Sequence, residues 1–127
     1  MDAETELSLV DLVDISHKAR LRTLSGSKRG RKKFVNDLYH HAPFDGRYVW
    51  ELSYSESFDT YAHLVNCGAL DECYLMSARS EIDGVTMRLE DALAEPLEAT
   101  ILICIPGRLA YYTGEDGFER WIVRRSP

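Results

Sequence analysis

Paired cysteines are missing from this chain. Its three, Cys67, Cys73 and Cys104, are an odd number with no CxxC spacing, so a disulfide framework is not indicated and a reducing, cytoplasmic setting is the simplest expectation. Long apolar runs are missing too, and none approaches the roughly 20 residues that span a bilayer. The opening Met1-Asp-Ala-Glu-Thr-Glu6 is acidic, without the basic flank and apolar centre of a signal peptide. No contact with a membrane is expected. Neither a GxSxG elbow nor an HExxH pair occurs, which removes the usual signatures of a serine hydrolase and a zinc protease. Gly26-x-x-x-Gly30-Arg-Lys falls short of a phosphate-binding Walker loop, because its spacing is tighter and no Ser or Thr follows the Lys.

Charge of one sign is absent from two neighbouring stretches. Residues 1–17 carry five acids and no Lys or Arg, whereas residues 18–33 carry eight Lys or Arg and no acid. The rest of the chain is acidic, and the net charge is −6 over 127 residues. A uniformly acidic molecule repels nucleic acid; this one has a single place where it need not.

What is present is an ordinary globular composition, 45% hydrophobic and 28% charged, in a length that fits one domain over 1–127 with a core needing no metal. The pattern predicts an amphipathic helix over 5–24, a second helix over 31–41 and a strand over 48–52. A third helix, capped by Ser53 or Ser57, is expected to run through Asn66 and close at Gly68. Cys73 to Ala78 and Val85 to Arg88 read as strands joined through Asp83-Gly84, and 89–94 as a short helix. Ile101 to Ile105 is a β-branched run ending at Pro106-Gly107, the pattern of a strand buried on both faces. Arg108 to Thr113 and Phe118 to Arg125 follow as further strands. Pro106-Gly107 points to a type II turn, which splays hairpin strands unless a bulge or longer loop compensates. The expected fold is α+β: a mainly antiparallel sheet of five or six strands, ending in a C-terminal three-stranded meander, with about three helices on one face.

Several constellations carry candidate chemistry. Lys28, Arg29, Arg31, Lys32 and Lys33 precede or open the second helix, and Arg20 and Arg22 stand upstream. Together they form a candidate anion or nucleic-acid site, since helix N-termini already favour anions. No aromatic is interleaved before Phe34, so base stacking is not indicated, and a solvated connector is the competing reading. His63 and Cys67 are one helical turn apart, with Cys73, His40 and His41 as further donors, but without a paired ligand motif no metal is assigned. His40 or His41 could serve as a general base, yet neither has a partner nucleophile in the pattern. Ser77, Arg79, Glu81 and Asp83 cluster around a loop, where surface turn chemistry is the plainer account than paired acid and base. No cofactor is called for.

The aromatics give the leading expectation. With helices on one face only, Tyr48, Tyr112 and Trp121 would include rings on the open face, suited to a protein partner or a second copy of the chain. A small non-catalytic binding or accessory protein is therefore expected first, an anion or nucleic-acid binder second, and an unrecognised enzyme or zinc protein third.

Overall fold

The computed structural model of the chain describes residues 2–14, 18, 27–39, 43–52, 59–115 and 119–125. In order, its elements are α1 (Ala3–Leu7), a 3-10 turn (Ser8–Asp11), α2 (Lys28–Asp37), a second 3-10 turn (Gly46–Tyr48), β1 (Val49–Glu51), α3 (Thr60–Asn66), β2 (Glu72–Ser77), β3 (Thr86–Arg88), α4 (Leu89–Ala94), β4 (Thr100–Ile105), β5 (Leu109–Thr113) and β6 (Arg120–Arg124). The strands form one sheet in the order β1-β6-β5-β4-β2-β3. Every pairing is antiparallel, and β4, β5 and β6 are consecutive neighbours. This is the α+β fold with a C-terminal meander that the sequence predicts. The two edge strands, β1 and β3, are three residues each, and short edges limit unwanted strand pairing.

Side chains alternate along the central strands and build two cores. Tyr74, Met76, Ile101, Ile103, Ala110 and Tyr112 point to the side where Leu9, Leu12, Phe34, Val35 and Leu38 pack. Their neighbours Cys73, Leu75, Leu102, Cys104, Leu109 and Tyr111 point to the other side, under Leu64, Leu89 and Ala92. The helices are thus divided between the faces, with α1 and α2 on one and α3 and α4 on the other, rather than gathered on one. The physical reason lies in β4. Leu102, Ile103 and Cys104 are at most 2% exposed, and a strand apolar on both faces needs a cover on both.

The turn after β4 resolves the problem posed by Pro106-Gly107. Arg108 N–H donates to Ile105 O at 3.0 Å across it, and Gly107 takes φ +75°, as the third position of a type II turn requires. A register shift between Ile103 and Ile105 against β5 supplies the compensating bulge. At the end of α3, Gly68 (φ +96°) lets its own N–H reach Val65 O and the Ala69 N–H reach Leu64 O. This double bond pattern satisfies carbonyls the helix leaves open. The cap at the other end is Asp59, accepting from Ala62 N at 3.0 Å; Ser53 and Ser57 lie outside the described residues.

The first helix departs most from expectation. Instead of continuing past residue 7, the chain tightens into a 3-10 turn, and Val13 forms an antiparallel bridge with Phe44. Asp14 N–H donates to Pro43 O and Asp45 N–H to Leu12 O, so a short ladder competes with helix there. Leu12 and Val13 are both buried. The second helix starts three residues earlier than predicted because Ser27 caps it, accepting from Gly30 N at 3.0 Å. Among the described residues no helix is long and apolar enough to cross a membrane.

Candidate functional site

The residues 28–33 open α2, and the helical period separates them into three roles. Phe34, Val35 and Leu38 pack into the core, and Arg31, one turn before them, is drawn inward by the same face. Lys28, Arg29, Lys32 and Lys33 are exposed. None of the four takes an acidic partner among the described residues. The first turn of α2 holds no acid. Cations there oppose the positive end of the helix dipole and repel one another, so the arrangement costs helix stability.

Arg31 is held by two carboxylates by comparison. Its Nε and Nη2 donate to Glu6 at 2.8–3.0 Å, and Nη2 also donates to Asp83 Oδ1 at 2.8 Å. Nη1 donates to Asp83 Oδ2. Asp83 in turn accepts the Ser77 N–H at 2.9 Å, capping the end of β2 where the ladder to β3 has stopped. Glu6, only 4% exposed, also accepts from Tyr74 Oη, and Tyr74 Oη accepts from Asp2 N at 3.1 Å. The network ties α1, α2 and the β2–β3 loop together. Hydrogen bonding to Asp83, above all, raises the Arg31 pKa further, so its charge is permanent. Burial, followed by the Glu6 hydrogen bond, raises Tyr74, which keeps the phenol protonated at neutral pH.

Beside this network α2 and the 78–83 loop enclose a cleft of about 420 Å3. Lys28, Arg31, Lys32 and Asn36 line it from the helix, and Ser80 and Asp83 from the loop. Val35 and Ala78 add apolar surface. Three cations and one carboxylate therefore border it. Its carboxylate is occupied by Arg31 and by a backbone N–H, so the cleft is equipped to hold an anion rather than to abstract a proton.

The other sequence candidates do not join it. Arg20, Arg22, His40 and His41 lie outside the described residues. His63 stacks edge-on against Trp50 of β1, ring centroids 4.3 Å apart, on the far edge of the sheet from β2 and β3. Cys67 ends α3, Cys73 is buried in β2, and all three cysteines are free. Among the described residues no three His, Cys, Asp or Glu side chains converge as a metal ion would need. Arg79 pairs loosely with Glu81 (3.7 Å) and Glu95 (3.8 Å) and donates to Pro96 O, which is surface turn chemistry. Ser77 is instead buried, its Oγ 2.7 Å from Thr100 Oγ1, and Asp83 is partly buried beside Arg31.

The aromatic candidates differ in burial. Tyr112 is fully buried, donates to Leu38 O at 2.6 Å and meets Phe44 and Trp121 edge-on. Trp121 and Tyr48 are half-buried against the same core, and Arg47 lies over the Tyr48 ring. Tyr112 is therefore absent from the expected open face, for the reason given for β4, while Tyr48 and Trp121 keep part of their rings exposed. Sequence reasoning missed Glu6, Tyr74 and the inward turn of Arg31. No local signal marks them, because the partners stand 25, 52 and 68 residues apart. Comparison of the chain with protein-family models, curated proteins and solved structures gives no match in any of the three.

Proposed function

We propose that this chain is a small non-catalytic binding protein whose ligand is a phosphate-bearing polyanion, nucleic acid foremost, held on α2. One observation carries the reading: Lys28, Arg29, Lys32 and Lys33 stand exposed without acidic partners among the described residues, in a molecule of net charge −6. Concentrating uncompensated cations where they weaken a helix is costly unless an anion completes them. Lys28 and Lys32, like Arg29 and Lys33, are one turn apart, about 6 Å along the axis, so two rows can meet successive phosphates. A protein partner on a sheet face has less support, since the central strands β2, β4 and β5 are buried on both faces. The free, largely buried cysteines suit a reducing cytoplasmic setting.

The test is fluorescence anisotropy with duplex DNA and single-stranded RNA at low salt. Binding is expected to be lost when Lys28, Arg29, Lys32 and Lys33 are all changed to Gln. No binding to either nucleic acid, or binding indifferent to that variant, overturns the reading.

A further inference from the structure

We infer that the cleft between α2 and the 78–83 loop is a site for a phosphomonoester dianion, such as the phosphorylated end of a strand, rather than for an internal phosphodiester. The inference rests on the anion-binding reading of α2 and assigns that face its specific subsite. At about 420 Å3 the cleft lies within the range of roughly 300–1,000 Å3 that small-ligand sites occupy, which leaves room for a phosphate and the sugar behind it.

Charge selects the monoester. Lys28, Arg31 and Lys32 border the cleft against one carboxylate, Asp83. Glu6, the other acid in the network, does not line the cleft; its side chain is 5% exposed and faces Arg31. Arg31 is already shared between Glu6 and Asp83, so the cations of the lining left to meet a ligand are Lys28 and Lys32, two positive charges without acidic partners among the described residues. A phosphomonoester at neutral pH carries about −1.5 to −2 and three acceptor oxygens. A phosphodiester carries a single charge and leaves part of that positive charge unmatched.

Donors are also in place. Four of the five Arg31 N–H groups are directed at Glu6 and Asp83, and the fifth, on Nη1, takes no carboxylate among the described residues. Exposed Lys28, Lys32, Asn36 and Ser80 add flexible donors around it. Val35 and Ala78 give an apolar wall for the carbon skeleton. Because Asp83 is pinned by Arg31 and by the Ser77 N–H, the loop wall is set before any ligand arrives, and little ordering has to accompany binding.

The experiment compares one short single-stranded RNA carrying a 5′-phosphate, a 3′-phosphate or hydroxyls at both ends, with AMP and adenosine as free probes. A phosphorylated end is expected to bind about tenfold more tightly than the hydroxyl form, the scale of one added charge-assisted contact. AMP, not adenosine, should compete. K28Q/K32Q should erase that preference. R29Q/K33Q, which changes cations outside the cleft, should weaken phosphorylated and hydroxyl strands alike and keep their ratio. AMP binding that K28Q/K32Q abolishes, with no RNA bound, would support the cleft while removing the polyanion reading. Salt-sensitive but equal binding of all three RNAs would do the reverse and overturn the cleft. A preference that survives K28Q/K32Q, or binding of a phosphoserine peptide in place of AMP and RNA, also overturns it.

Discussion

At the scale of single residues, Arg31 belongs with the core although it sits within a solvated basic run. Its side chain is 12% exposed and bonded to two carboxylates, Glu6 at 5% and Asp83 at 14%. Removing one member of such a network leaves the others charged and unpaired, which costs about 3–5 kcal/mol. Arg31→Met is therefore expected to lower the free energy of unfolding by that amount in urea titration, whereas Lys32→Met should change it by no more than about 0.5 kcal/mol. Equal effects would mean that the network contributes nothing.

The thiols and phenols of the interior make a second prediction. Burial pushes Cys73 up to about 12 from an ordinary value of 9.0, and Tyr112 up to about 12 from 10.0. Burial also raises Cys104, Tyr111 and Tyr74. These groups hold their protons longer in the folded state than in the unfolded one. Their contribution to stability is complete below about pH 9 and is lost as pH rises toward 12. The urea midpoint should fall steadily over that window, and Cys73 and Cys104 should resist alkylation until the protein unfolds. A midpoint unchanged between about pH 8 and 11 would contradict this placement.

At the scale of elements, what the sequence discloses depends on how far a signal reaches. The Schellman turn at Gly68, the short helix over 89–94 and the Asp83-Gly84 reversal rest on a few adjacent residues, and each stands where those residues predict. The continuity of the first helix past residue 7 does not, because its competitor is a ladder to Pro43 and Asp45, some thirty residues away; its expected end at residue 24 lies outside the described residues. In the candidate site the basic run was visible as composition. The period of α2 then divides it into an inward Arg31 and outward Lys28, Arg29, Lys32 and Lys33, a separation that depends on the helix starting at Ser27. The acids that claim Arg31 come from α1 and the β2–β3 loop, and no local pattern names them.

The same helix predicts a conflict between stability and binding. Arg29 stands at the second position of α2, with Lys33 one turn later. R29E puts a carboxylate where the dipole favours one and pairs it with Lys33 at the favourable spacing. Stability should rise by about 0.5–1 kcal/mol while affinity for RNA falls. A variant that gains stability and binds as before would show that the cations serve no ligand.

At the scale of the whole molecule, the sheet is the centre of an α/β/α sandwich in packing terms, with β4 in its interior and helices on both sides. The apolar run from Ile101 to Ile105 already says this, because a strand wetted on one face alternates and this one does not. Helices on one face alone would leave half of that strand wet, and covering the second face takes Tyr112 into the core. With the central strands buried on both faces, a surface feature that stands out among the described residues is electrostatic: a cationic helix face on a molecule of net charge −6.

The most direct measurement of that claim is the dependence of duplex DNA affinity on salt. Four cations engaging about four phosphates predict a slope of log K against log salt near −3.6, or roughly a hundredfold loss between about 50 and 200 mM. The variant with Lys28, Arg29, Lys32 and Lys33 all changed to Gln should show a slope close to zero at the residual affinity. A native slope near zero, or the same steep slope in the variant, would contradict the account.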